Sequence, residues 1–154
     1  GGGSSAPGLK VSLAKVKAMA AAERGDLGEP LLADPIFRSR LAELEILLEA
    51  IEMTEHRVMT ELSAGKNPGP ASSMLKTQAT QATQKIDGLA IDTAAYYAHV
   101  DQPRAREPGS NETPVGPEHS LTAMPRYLNN RAASIYGGSN EIQRDIMARL
   151  VLGL

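Results

Sequence analysis

The chain has 154 residues, no cysteine, 3 % aromatic residues and a formal net charge of −2. That length suits one domain with its own core and is short for two. The composition excludes disulfides and thiolate metal sites, offers no basic face of the kind nucleic acid requires, and forces an aliphatic core of Leu, Ile, Ala and Met. No apolar run reaches the length of a membrane span, and the N-terminus lacks the apolar centre of a signal peptide, so a cytoplasmic soluble protein is the default expectation.

Residues 1–8, GGGSSAPG, read as a flexible linker or tag remnant with little to pack, and the domain proper is expected over 9–154. Leu9, Leu13, Val16 and Ala20 then recur at helical spacing, with Lys10, Lys15 and Lys17 outside the stripe, and Gly25 closes this short amphipathic helix. The segment ERGDLGEPLL at 23–32 is a turn-rich connector. Asp34-Pro35 is a helix start, with the carboxylate as cap and proline where its missing amide costs nothing. Phe37, Leu41, Leu44, Leu48, Ile51, Val58 and Leu62 follow in alternating steps of threes and fours broken only at Glu55, which predicts a long bundle helix. Glu43, Glu45, Glu49, Glu52 and Glu61 fall on its solvated faces.

Gly65 and NPGP at 67–70 end that helix and begin the next, whose seam is predicted to carry Leu75, Ala79, Ala82, Ile86, Leu89, Thr93 and Tyr96. The short turn makes the two helices antiparallel neighbours, and the small residues let their axes approach. Four prolines among polar residues make 101–119 a long loop. Asn111-Glu112-Thr113 matches a glycosylation sequon, read as coincidence without a secretion signal. A last helical stretch is expected from about Ser120 to Tyr136, with Pro125 kinking it or starting anew and with Tyr127, Leu128 and Ile135 buried. The Gly137-Gly138 pair breaks it. Ser139 or Asn140 caps a final helix with Glu141 in its first turn, Arg149 near its end, Gly153 as its stop and an apolar stripe of Ile142, Ile146 and Leu150. A glycine turn against a helix N-terminus is a place where an anion can rest, although most such pairs only make a corner.

Metal and nucleophile chemistry find little support. Glu52 and His56 lie four apart rather than in the Glu-x-x-His spacing of carboxylate-bridged bundles, and His99 and His119 fall in no ligand pattern. There is no GxSxG and no cysteine.

The order IYGGSNEIQRDIMARLVLGL at 135–154 resembles the C-terminal signature of the acyl-CoA dehydrogenase flavoenzymes. DPIFRSRLAELEILLEAIE at 34–52, PASSMLKTQATQ at 70–81, NETPVGP at 111–117 and PRYLNNRAAS at 125–134 resemble the pimeloyl-CoA dehydrogenase large-subunit branch. The resemblance spans nearly the whole chain but only the C-terminal helical domain of such an enzyme. It implies an all-α, antiparallel up-and-down bundle of four long helices plus shorter ones. It also implies an FAD-dependent parent enzyme that removes hydrogen from the α and β carbons of an acyl-CoA thioester, with a dicarboxyl-CoA such as pimeloyl-CoA as one candidate. This domain would supply flavin contacts and a homo- or hetero-oligomer interface through its helical faces.

By the same resemblance Arg24, Leu27 and Gly28 occupy an Arg-x-x-(aromatic)-Gly segment that reaches across a subunit interface toward the flavin nucleotide, with leucine replacing the aromatic. Ser139, Asn140 and Glu141 take positions that contact the flavin nucleotide, with Glu141 where many relatives have glutamine, and Gly138 lies beside the acyl thioester. Gly137 occupies the usual position of the catalytic glutamate and cannot accept a proton. Relatives carry a Gln-x-x-Gly-Gly segment where this chain reads AIDTAAYY at 90–97. No dehydrogenase activity is expected of the chain alone, because the resemblance includes no counterpart of the β-domain that covers the flavin ring. The alternative is a non-catalytic helical assembly domain derived from the family, and a third reading is a bundle that only binds protein partners. Apolar stripes such as Leu47 with Ile36 would serve any of the three.

Overall fold

In a computed structural model, residues 5–153 are described; residues 1–4, half of the expected linker, and Leu154 lie outside the described residues. Five α-helices carry the fold: α1 Ala6–Ala22, α2 Pro35–Ser63, α3 Ala71–Ala94, α4 Ser120–Asn129 and α5 Asn140–Leu152. Short 3₁₀ turns follow α3 and α4, and no strand occurs among the described residues.

The linker reading gives way at Ala6, which already belongs to α1 and is fully buried. Pro7 tolerates an early helical position because its amide would be unsatisfied anyway. Glu55 explains both this start and the break in the α2 stripe. Its two carboxylate oxygens lie 3.0 and 3.1 Å from the Ala6 amide, so a charged residue in the apolar seam caps the neighbouring helix across 49 positions.

The α2 signals act as read. Asp34 accepts from the Phe37 amide at 2.7 Å, and Gly65 with φ of +71° follows the helix while the Lys66 amide returns to Glu61 and the Gly65 amide to Leu62. That pairing is a left-handed glycine stop. Between these ends Phe37, Leu41, Leu44, Leu48, Ile51 and Val58 are buried, whereas Leu62 lies beyond the core and is half exposed.

Antiparallel pairing of α1 and α2 follows from rising numbers on one meeting falling numbers on the other: Ala6 with Glu55, Lys10 with Glu52 and Glu49, Lys17 with Glu45. Lys15 stays in solvent, while Lys10 and Lys17 are held in these pairs. The core is the common interior of α1, α2 and α3, where Leu9, Leu48, Ile51, Ile86 and Leu89 are sealed from water. Each such side chain stabilises the fold by about 1.5–3 kcal/mol relative to exposure. On α3, Ala79 and Ala82 keep the packing close, and Thr77, Thr80, Thr83 and Thr93 return their hydroxyls to the carbonyls four residues earlier. Those bonds satisfy hydroxyls that would otherwise be buried without a partner.

Three expectations fail from here on. The α3 seam does not reach Tyr96, which is exposed, because Ala95 turns to φ +49°, ψ −131° and rotates the chain out of helical register. The stretch from Ser120 is not one long helix: α4 keeps Pro125 inside it and passes at Asn130–Ser134 into 3₁₀ geometry, which changes the residues that face inward. Leu128 and Ile135 are consequently exposed and Tyr127 half-buried, and the inward positions go to Ser120, Ala123 and Ala133. The 101–119 segment is a loop as expected, with one 3₁₀ turn at Arg104–Arg106 and a clamp in which Gln102 accepts from the Val115 amide and donates to its carbonyl.

Candidate functional site

The turn from Tyr136 to Gln143 is built by two left-handed glycines, Gly137 at φ +68° and Gly138 at φ +86°. A side chain would be strained at either. At Gly138 a Cβ would also stand 2.5 Å from Nε2 of Gln143, the free end of a side chain that can swing aside, so the positive φ is what favours glycine there, while the space around Gly137 is open. Of the two candidate caps, Ser139 is the one used: its Oγ accepts from the Ile142 amide at 3.3 Å.

Asn140 has a different task. It is the one buried residue that α5 contributes among the described residues, and its Oδ1 accepts from the ammonium of Lys76 on α3 at 3.0 Å. Glu141 is exposed, and its carboxyl is held below the usual carboxylate range by its own backbone amide first, then by the Ser139 hydroxyl, with Arg144 and Lys76 adding favourable charge. The whole arrangement is an open helix N-terminus with a carboxylate and a lysine at its rim.

Beside Tyr136 a groove of about 760 Å³ runs between α1, α3 and α4, lined by Leu9, Ser12, Thr83, Asp87 and Asn130 among others. Asp87 is buried in its floor, accepts from Nδ2 of Asn130 at 2.6 Å, and has the Arg126 guanidinium 3.8 Å from its other oxygen. Arg131 stacks on Tyr127 at 4.2 Å and donates to the carbonyls of Tyr127 and Gln84, which ties this 3₁₀ turn to α3.

The second predicted element lies elsewhere. Arg24 and Pro30 form a single antiparallel bridge, Gly28 turns at φ +80°, and Nη1 of Arg24 donates to the Gly28 carbonyl at 3.4 Å. Leu27 is almost wholly exposed and borders a cavity that reaches Arg40 on α2. Arg40 pairs with Asp92 at the far end of α3 from Lys76. Sixteen residues separate Lys76 from Asp92, or about 24 Å of helix. A single copy therefore brings Ser139, Asn140, Glu141 and Gly138 together and leaves Arg24 and Leu27 at the opposite end.

Within AIDTAAYY the backbone makes a positive-φ break at Ala95 although no glycine is present. Its chain path is that of a turn glycine would favour. Neither Lys76 nor Asp87 stands out in the sequence, because no spacing rule links Lys76 with Asn140 or Asp87 with Asn130. No group of three or more potential metal-binding side chains occurs among the described residues, and no helix among them is long and apolar enough to cross a membrane.

Residues 14–152 match the sequence family described as acyl-CoA dehydrogenase, C-terminal domain. No curated protein sequence matches the chain. Among solved structures, the FAD complex of PigA superposes with a TM-score of 0.74 at 21 % identity, over 97 % of this chain and 34 % of that one. The prolyl acyl carrier protein oxidase AnaB gives 0.74 at 17 % identity, over 97 % and 34 %. The ChsE4-ChsE5 complex from Mycobacterium tuberculosis gives 0.70 at 22 %, over 95 % and 35 %. At these identities the likeness is one of fold, and the chain spans about a third of the length of the structures it matches.

Proposed function

Because the chain belongs to the acyl-CoA dehydrogenase family, as its C-terminal domain, we propose that it serves an FAD-dependent α,β-dehydrogenation of an acyl-CoA thioester by supplying flavin-nucleotide contacts and part of an oligomer interface. The observation that carries this reading is the turn itself. Two positive-φ glycines, a Ser139 cap and a buried Asn140 shape the N-terminus of α5; its first-turn amides are taken by Ser139 and by the Glu141 carboxylate, so what it presents to a nucleotide is its positive dipole end. The residues fit the group: Gly138 carries no side chain at a φ that favours glycine, while Ser139 and Glu141 present a hydroxyl and a carboxylate at the rim. When bound, FAD would supply the hydride acceptor.

The chain's own residues then divide the remaining work. Ser139, Asn140 and Glu141 orient the nucleotide, and Gly138 leaves room for the thioester. Arg24 and Leu27, toward the Asp92 end of α3 rather than the Lys76 end, complete the site of a second copy, in keeping with the cross-subunit reach that the family resemblance implies. The exposed apolar side chains Ile36 and Ile46 on α2, and Ile142, Leu150 and Val151 on α5, are the faces through which copies or related subunits would associate. Proton removal from the α carbon has no candidate at Gly137, and we assign the base to another subunit of a mixed oligomer. A cytoplasmic setting accompanies this reading.

A second reading, a non-catalytic assembly domain, is favoured by Gly137 and by those same apolar faces. FAD titration of the isotope-labelled chain separates the two. The flavin reading expects saturable shifts confined to the amides of 137–143 and to Arg24, and weaker shifts in Gly138→Ala. Absence of any FAD-dependent shift at millimolar ligand would establish the assembly reading instead. Acyl-CoA oxidation by this chain alone would overturn the assignment of the base.

A further inference from the structure

Helix α5 is unusual in what it buries. Its apolar residues Ile142, Ile146 and Leu150 are on the surface, while Asn140, at its first position, is only 5 % exposed. A buried amide is stable only with hydrogen-bond partners, and the one that reaches Asn140 Oδ1 comes from Lys76, 64 residues earlier on α3. This ammonium is half-buried and forms no ion pair among the described residues. It also stands at the positive end of the α5 dipole, where a cation is the wrong sign. Hydrogen bonding holds it there against that repulsion, and Glu141 offsets only part of the charge.

We infer that Lys76 is a positioning residue for the nucleotide-facing turn: through Asn140 it locks residues 137–143 in the observed conformation, and the part of its charge that Glu141 leaves uncompensated favours an anionic nucleotide at that rim. The inference rests on the flavin reading for the identity of the ligand, and on the Lys76–Asn140 bond for the positioning. Ser139 caps α5 locally, but α5 has little buried apolar surface of its own to fix its angle against α3, so the cross-helix bond defines where the turn points.

The test compares wild type with Lys76→Met, which keeps the apolar stem and removes the donor and charge, and with Lys76→Arg, which keeps both. Hydrogen exchange at the amides of 140–143 is expected to accelerate about tenfold in Lys76→Met, the scale of one hydrogen bond to a charged group. Exchange in the middle of α2 and α3 should stay unchanged, and Lys76→Arg should recover most of the protection. The melting temperature should hold, because the opening is confined to the start of α5 and leaves the α1, α2 and α3 core intact. A uniform acceleration throughout the bundle would reduce Lys76 to a stability role and overturn the inference, as would unchanged exchange at the turn. FAD titration of the same proteins is expected to show at least tenfold weaker binding for Lys76→Met than for wild type. If wild type itself shows no FAD response, the flavin reading fails, while the exchange data still decide whether Lys76 sets the turn.

Discussion

Ala95 concentrates the relation between backbone path and residue type in this chain. At φ +49°, ψ −131° it is the one described non-glycine residue with positive φ. Its Cβ sits in a conformation that costs on the order of 1–3 kcal/mol and is natural only for glycine. Replacing Ala95 with glycine relieves this strain. Against it stands the greater freedom of glycine in the unfolded chain, about 0.4–1 kcal/mol. Ala95 is exposed, so its methyl contributes little packing. The balance favours the variant by ~0.5–2 kcal/mol, or a melting temperature raised by about 1–6 °C for a domain of this size. Ala94 is the matched control: it is helical at φ −76°, ψ −16° and only 2 % exposed. Ala94→Gly loses helix propensity and a buried methyl together, about 2 kcal/mol in the opposite direction. Thermal unfolding followed by circular dichroism reads both. If Ala95→Gly melts below wild type, or the two variants shift alike, the strained turn is not what ends α3.

Two further outcomes follow from cross-helix contacts and from charge. Glu55→Ala removes the carboxylate that caps α1 and should lower stability by about 1 kcal/mol, the usual worth of an N-terminal cap, with early exchange in the first turn of α1; an unchanged first turn would show that Glu55 does not hold it. The lowered pKa of Glu141 means that its folded-state contribution is fully present above the unfolded value of ~4.3 and is lost as pH falls through the lower folded value. Wild type should accordingly lose more stability than Glu141→Gln between about pH 5 and pH 3. Superimposable acid limbs in urea titrations would remove the Ser139–Glu141 coupling from the account of the turn.

Local chemistry is legible in the residues that carry it. Asp34-Pro35, the Gly65 stop, the Ser139 cap and the Gly153 end at φ +71° each act within a few residues of themselves, so the order of residue types discloses them. The stripes Leu9 to Ala20 and Phe37 to Val58 are equally readable, because a helix that buries one face must repeat apolar residues at its own period. The α5 stripe shows where that logic stops. Ile142, Ile146 and Leu150 share a face, yet nothing among the described residues covers it, since periodicity says which residues lie together and not whether a partner meets them.

The all-helical bundle, its main helix ends and the glycine turn were thus determined by sequence, through interactions that span one or two turns of chain. Tertiary structure decided the rest: that Glu55 caps a helix 49 residues away, that Lys76 holds Asn140 across 64, that Tyr96, Leu128 and Ile135 face water, and that Arg24 lies far from the turn in the same copy. Those outcomes depend on which helix faces meet and at what offset, and that register is set by the packing of the whole core rather than by any stretch of residues within it.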